Sequence, residues 1–175
     1  CGDLARNSGL ACGAESILMP EVPWSIDGVA EKIISSIDKG KMTSIIVVAE
    51  GAWDSMAPFD LDEFSHSMGL MLPPLMPDEK FNSQLLAHVL QAATGQETRS
   101  TVLGYLQRGG SPTAADRNLA SRLGAHAVEL LRDGISGCAV GIRDNHVISE
   151  PYENVIGRKR MLNADVIRLS EILSM

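Results

Sequence analysis

The apolar positions of the chain change period several times, and each change marks an element. Leu4 to Cys12 predicts a short helix stopped by Gly13, and Ile17 to Met19 a short buried strand ended by Pro20. Ile26, Val29, Ile33, Ile34 and Ile37 then fall on one face of a helical repeat, with Ser25 placed as its N-cap. Lys39-Gly40-Lys41 closes that helix, a glycine and two cations being suited to a helix C-terminus. Ser44 to Ala49 is β-branched and almost uninterrupted, the pattern of a strand covered on both faces in a parallel sheet.

From Gly51 to about Asn82 the period disappears. This stretch is rich in Met and Pro (Pro58, Pro73, Pro74, Pro77) and reads as a long irregular segment, which in a compact domain is functional, mobile or an interface element. Alternation resumes with a helix over Ser83–Thr94 and a strand over Ser100–Leu106. The Gly109-Gly110 pair and a long amphipathic helix over Ala114–Arg132 follow. Gly137–Ile142 and His146–Ser149 predict two strands joined by an Asp144-Asn145 turn, and Lys159–Leu173 a closing helix. The order predicts an α/β fold with a mostly parallel sheet and one hairpin.

Composition narrows the function classes. The chain has 175 residues, 15 basic and 22 acidic, for a formal charge of −7. That balance argues against a nucleic-acid coat or a binder of anionic membranes, while leaving local basic clusters able to hold a small phosphate. With 45% hydrophobic residues but only two Trp, two Tyr and three Phe, a core is affordable and must be largely aliphatic. No apolar run approaches the roughly 18 residues of a membrane span. Cys1, Cys12 and Cys138 lie far apart, indicating neither a zinc site nor a disulfide framework, and a reduced, cytoplasmic protein is expected. His66, His88, His126 and His146 show no ligand spacing, so no metal site is expected, and neither a P-loop nor a Gly-x-Ser-x-Gly elbow occurs. The opening Cys1-Gly2-Asp3, without an initiator Met, reads as an internal point of a longer chain.

Two places carry chemistry. Arg99 precedes the expected strand at Ser100, and Arg108 follows it directly before Gly109-Gly110. In open α/β sheets ligands sit beyond the carboxyl ends of strands, where glycines let backbone come close and an arginine fork matches phosphate. The same residues also suit a plain turn with a surface charge. Glu50 ends the most apolar strand, either as an acceptor for sugar hydroxyls or as a solvated strand end.

Thr101-Val-Leu-Gly-Tyr-Leu-Gln-Arg-Gly-Gly-Ser-Pro112, followed by Asp116-Arg117, closely resembles the phosphofructokinase family, whose run reads Val-Leu-Gly-His-x-Gln-Arg-Gly-Gly-(Ser/Thr)-Pro and then Asp-Arg. Ile45-Ile-Val-Val-Ala-Glu-Gly51 resembles the strand carrying that family's substrate-binding glutamate. Cys1-Gly-Asp-Leu-Ala5, Gly13-Ala-Glu15 and Pro20-Glu21 resemble the segment after its Met-Gly-Arg motif, and Lys39-Gly40-Lys41 its Lys-Gly-Lys. The resemblance implies a three-layer α/β fold and transfer of a phosphoryl group to O1 of fructose 6-phosphate, with ATP or pyrophosphate as donor and Mg2+ in the complete enzyme. It implies that Glu50 and Arg108 contact the sugar, that Arg99 reaches the 6-phosphate across a subunit interface of a homo-oligomer, and that Tyr105, Leu106 and Gln107 line the pocket with Arg108. The donor loops and the catalytic aspartate would lie upstream, so no residue here is expected to be catalytic and the chain alone is expected to be inactive.

The same resemblance implies an effector site for a nucleoside diphosphate or phosphoenolpyruvate at Gly13, Ala14, Glu15, Lys39, Lys41, Met42 and Thr43. The two lysines equally complement a helix dipole with no ligand at all. Tyr105 stands where the family usually has His, as a tolerated substitution in an active enzyme or as drift in the regulatory half of a duplicated chain. A binder of sugar phosphates that only shares the fold is a further reading. The segment at 52–82 is an insertion relative to compact bacterial members: a lid, an oligomer contact or an excursion. In family terms residues 1–112 form the substrate domain, 113–150 part of the nucleotide-side domain, and 151–175 a tail returning to the first.

Overall fold

The fold is taken from a computed structural model that describes residues 2–69, 81–158, 168–169 and 172, without the side chain of Arg108. The chain divides into two compact units, Cys1–Val102 with Leu162–Met175, and Leu103–Met161.

In the first unit, helix α1 (Gly2–Cys12) leads through Gly13, at φ +66°, into strand β1 (Ser16–Leu18). Helix α1 lies against β1 at Gly9, where an added Cβ would come within 2.6 Å of the Ile17 side chain, so glycine sets how closely the two pack. Helix α2 (Ile26–Asp38) starts at the expected cap: the Ser25 hydroxyl accepts the Gly28 N–H at 3.1 Å. Strand β2 (Ile46–Val48) pairs in parallel with β1 in the register Ser16–Ile46, Ile17–Val47, Leu18–Val48. It is shorter than the expected Ser44–Ala49. Its three residues are half-buried and Ile45 is exposed, so the strand is not enclosed on both faces among the described residues.

The stretch expected to be irregular holds two short elements. A 3-10 turn spans Ala52–Ser55, and helix α3 (Leu61–Met68) is capped by Asp60, whose carboxylate accepts the Glu63 N–H at 2.9 Å. Both are too short to leave a readable repeat, which is why periodicity missed them. Rings hold this segment to the unit: Trp53 lies 5.9 Å from Trp24 and 5.6 Å from Phe81, and Phe59 packs on Phe64 at 5.3 Å. Residues 70–80 of the insertion lie outside the described residues.

Helix α4 runs over Ser83–Thr94 as expected. Asn82 caps it by accepting the N–H groups of Gln84 and Leu85, and Gly95 in the left-handed region ends it. Val89 and Leu90 of α4 are the most enclosed large side chains, in an aliphatic core shared with Leu18, Met19, Ile26, Val29 and Ile33.

The strand expected over Ser100–Leu106 does not form. A strand needs a hydrogen-bonded neighbour, and the described residues offer this segment none. Val102 and Leu103 are exposed instead, and Gly104 at φ +58° turns the chain out of the extended region.

The second unit is built on helix α5 (Ala114–Arg132), again where expected, with a reciprocal cap. The Thr113 hydroxyl accepts the Asp116 N–H, and the Asp116 carboxylate accepts the Thr113 N–H at 2.8 Å. Strands β3 (Cys138–Arg143) and β4 (His146–Pro151) form the expected antiparallel hairpin. Its two-residue turn places Asp144 and Asn145 both at positive φ, the form that matches strand twist. Arg122 of α5 reaches that turn, donating to the side-chain and main-chain oxygens of Asn145. One helical turn, α6 (Tyr152–Val155), follows. The expected closing helix over Lys159–Leu173 falls mostly outside the described residues. The α/β class holds, with the parallel pairing seen at β1–β2.

Candidate functional site

Because β1 and β2 are parallel, their carboxyl ends share one edge, and Glu50 stands there, exposed, two residues beyond β2. The backbone beneath it is closely held. The Ala49 N–H donates to the Leu18 carbonyl at 2.9 Å, joining the ends of the two strands. The turn that follows is pinned twice: Trp24 Nε1–H donates to the Ala52 carbonyl at 2.8 Å, and the Ser55 hydroxyl donates to the Met19 carbonyl at 2.7 Å.

Arg99 lies in the same unit, in the irregular stretch after α4. Thr98 N–H donates to the Gln91 side chain at 3.1 Å and Ser100 Oγ sits 3.0 Å from Ser83 Oγ, tying the backbone on either side of Arg99 to α4. The guanidinium is 84% exposed and paired with Glu97 at 2.6 Å. A pair so exposed contributes little energy, and a phosphate can compete for the arginine.

In the second unit Tyr105, Leu106 and Gln107 are exposed around a 3-10 turn over Leu106–Arg108. Gly109 is extended and Gly110 sits at φ +86°, a conformation that favours glycine, before the chain enters α5. The side chain of Arg108 lies outside the described residues. The sugar-side candidates therefore divide as Glu50 and Arg99 in one unit and Tyr105, Leu106, Gln107 and Arg108 in the other.

The effector candidates give a different picture. Ala14 and Glu15 are buried at 4% exposure, while Gly13, Lys39, Lys41, Met42 and Thr43 are exposed. Glu15 accepts the Ile45 N–H at 2.5 Å and pairs with Lys41 at 3.4 Å, and its own N–H donates to the Ile45 carbonyl at 2.9 Å. Its carboxylate is thus engaged in joining the strands, a role the apolar pattern gave no sign of. Lys39 caps α2 through its main-chain N–H. A cavity of about 110 Å3 runs along β1 and includes Ala14 and Glu15, with Trp24 and Lys32 on its wall.

Among the described residues no three His, Cys, Asp or Glu side chains gather as a metal ion requires. Among the described residues no such cluster stands ready for Mg2+, and none of them is assigned to it. Asp116 has its carboxyl held below the usual carboxylate range by hydrogen bonds from the Thr113 hydroxyl and main chain. That is a helix cap, not a catalytic shift.

A sequence profile described as Phosphofructokinase matches residues 1–131. The chain belongs to the phosphofructokinase family. Proteins named ATP-dependent 6-phosphofructokinase are similar to it along its length. The one from Halalkalibacterium halodurans is 42% identical over 173 residues, covering 99% of this chain and 46% of the relative. Those from Clostridioides difficile and Staphylococcus epidermidis are 39% and 40% identical, with the same coverage. The crystal structure of Pichia pastoris phosphofructokinase in the T-state is similar in fold, with a TM-score of 0.64 at 26% identity, covering 99% of this chain and 16% of that one. The chain spans just under half the length of the bacterial relatives it matches. No described helix is long and apolar enough to cross a membrane.

Proposed function

We propose that this chain supplies the sugar-phosphate side of an ATP-dependent 6-phosphofructokinase. The reaction is transfer of the terminal phosphoryl group of ATP to O1 of fructose 6-phosphate, giving fructose 1,6-bisphosphate. The observation that carries this reading is the run Gln107-Arg108-Gly109-Gly110, set on a tight turn at the mouth of a firmly capped helix, in a chain of this family. Phosphoryl transfer depends chiefly on positioning and charge stabilisation, so fixed cationic groups are the chemistry such a site needs.

In this proposal Glu50 accepts hydrogen bonds from sugar hydroxyls, Arg108 contacts the sugar, and Arg99 binds the 6-phosphate across the interface of a homo-oligomer. Tyr105, Leu106 and Gln107 line the pocket. The Tyr105 hydroxyl donates to phosphate where a histidine would carry charge. ATP is preferred to pyrophosphate because the similar proteins are named for it. ATP and Mg2+, with the catalytic aspartate, are assigned to a part of the polypeptide outside this stretch, and the reaction to the cytoplasm. A nucleoside diphosphate or phosphoenolpyruvate effector at Gly13–Glu15 and Lys39–Thr43 belongs to the same proposal.

The second reading, a non-catalytic regulatory half of a duplicated chain, is favoured by one residue, Tyr105. The two separate in a coupled assay for fructose 1,6-bisphosphate. The longer polypeptide turns over and residues 1–175 alone do not, whereas a regulatory half leaves the longer polypeptide active after Arg108→Ala.

A further inference from the structure

We propose that Trp24 and Ser55 are positioning residues for Glu50, setting sugar affinity through the turn they hold without touching the sugar. The inference rests on the reading of Glu50 as a sugar ligand. Glu50 is exposed, and among the described residues no hydrogen bond or ion pair holds its side chain, so its position is set there by the backbone on either side. Upstream, that backbone is tied by the Ala49–Leu18 hydrogen bond. Downstream it runs directly into the turn over Ala52–Ser55, whose first residue is fully buried.

Three hydrogen bonds bind this turn to the segment after β1, and a fourth, from Ala57, holds the residues that follow it. Trp24 Nε1–H donates to the Ala52 carbonyl at 2.8 Å, and the Ser55 hydroxyl to the Met19 carbonyl at 2.7 Å. Trp24 N–H donates to the Ser55 carbonyl at 3.2 Å, and the Ala57 N–H to the Trp24 carbonyl at 2.8 Å. Trp24 also meets Trp53 edge-on at 5.9 Å, and Trp53 in turn meets Phe81 at 5.6 Å. The far end of the insertion thus bears on the same ring pair that holds the turn beside Glu50. Loss of one hydrogen bond of this class is worth about five-fold in an equilibrium, and a side chain displaced by a fraction of an ångström loses its directed contact with a hydroxyl.

The test is steady-state kinetics of the full-length protein. Trp24→Phe keeps a ring and removes the Nε1 donor; Ser55→Ala removes the hydroxyl and Ser55→Thr retains one. The expected result is a rise of about five-fold in KM for fructose 6-phosphate for Trp24→Phe and for Ser55→Ala, with kcat and the donor KM little changed. Ser55→Thr restores affinity. A purely structural role lowers the unfolding temperature and the yield of active enzyme but leaves the sugar KM of the surviving enzyme unchanged, which overturns the proposal. Should Trp24→Phe fail to fold, Ser55→Ala against Ser55→Thr decides alone. Glu50→Gln serves as the reference. If it leaves the sugar KM unchanged, the reading of Glu50 is wrong; if it raises KM while the Trp24 and Ser55 variants do not, only this inference is wrong.

Discussion

The buried carboxylate of Glu15 accepts the main-chain N–H of Ile45 at 2.5 Å, tying the approach to β1 to the approach to β2. Lys41, 41% exposed, lies 3.4 Å from the other carboxylate oxygen. The proposed effector role of Glu15 would thus compete with a role in the sheet for the same side chain. Glu15→Ala leaves a part-buried N–H without its acceptor and is expected to cost about 1–3 kcal/mol in urea unfolding. Glu15→Gln keeps an acceptor for Ile45 and is expected to cost less. Lys41→Ala is expected to cost under about 1 kcal/mol, since the lysine is partly exposed and its contact with Glu15 is long. Equal losses for the glutamate and lysine variants would show that the ion pair, not the backbone hydrogen bond, carries the effect.

The cap of α5 makes stability depend on pH in a defined direction. Hydrogen bonds from Thr113 favour the ionised Asp116 and lower its pKa in the folded chain. A carboxyl with a lowered folded pKa binds protons more readily when unfolded. Its contribution is therefore present above the unfolded value of about 3.9 and is lost as pH falls through the folded value. Thermal unfolding from pH 6 down to pH 2 is expected to show the unsubstituted protein above Asp116→Asn near pH 6, with the gap closing in acid. Because the group is exposed, added salt narrows the gap at every pH. A gap that widens as pH falls would contradict the cap as drawn.

Much of the frame was legible because its signals are local. Ser25, the run of isoleucines after it, and the Asp144-Asn145 turn each act over a few residues, and α4 and α5 lie where their periods place them. The segment at Ser100–Leu106 was misread for the opposite reason. Its apolar residues suit a strand, but strand formation depends on a partner far away in sequence, and the described residues provide none. Helix α3 went unseen because two turns of helix, pinned by Phe64 to Phe59, leave too few residues for a repeat.

The candidate site was named through the resemblance of the Gln107-Arg108-Gly109-Gly110 run and of Glu50 to the family's motifs, since the residue types alone left a plain turn and a solvated strand end open. The contacts of Trp24 and Ser55 were not legible. Their partners, Ala52 and Met19, are backbone carbonyls 28 and 36 residues distant, and no side-chain pattern marks a carbonyl. The effector reading of Glu15 came from the resemblance, and its hydrogen bond from the Ile45 N–H went unseen because that partner is also main chain.

The most direct test of the central claim is the affinity of the full-length protein for fructose 6-phosphate with Arg108 replaced by alanine. Loss of a charge-assisted contact to the sugar phosphate is expected to raise KM about ten- to a hundred-fold, with the KM for ATP little changed. The folded content, followed by the unfolding transition, should stay the same. An unchanged KM for fructose 6-phosphate in that variant would contradict the assignment of this chain to the sugar side of the reaction.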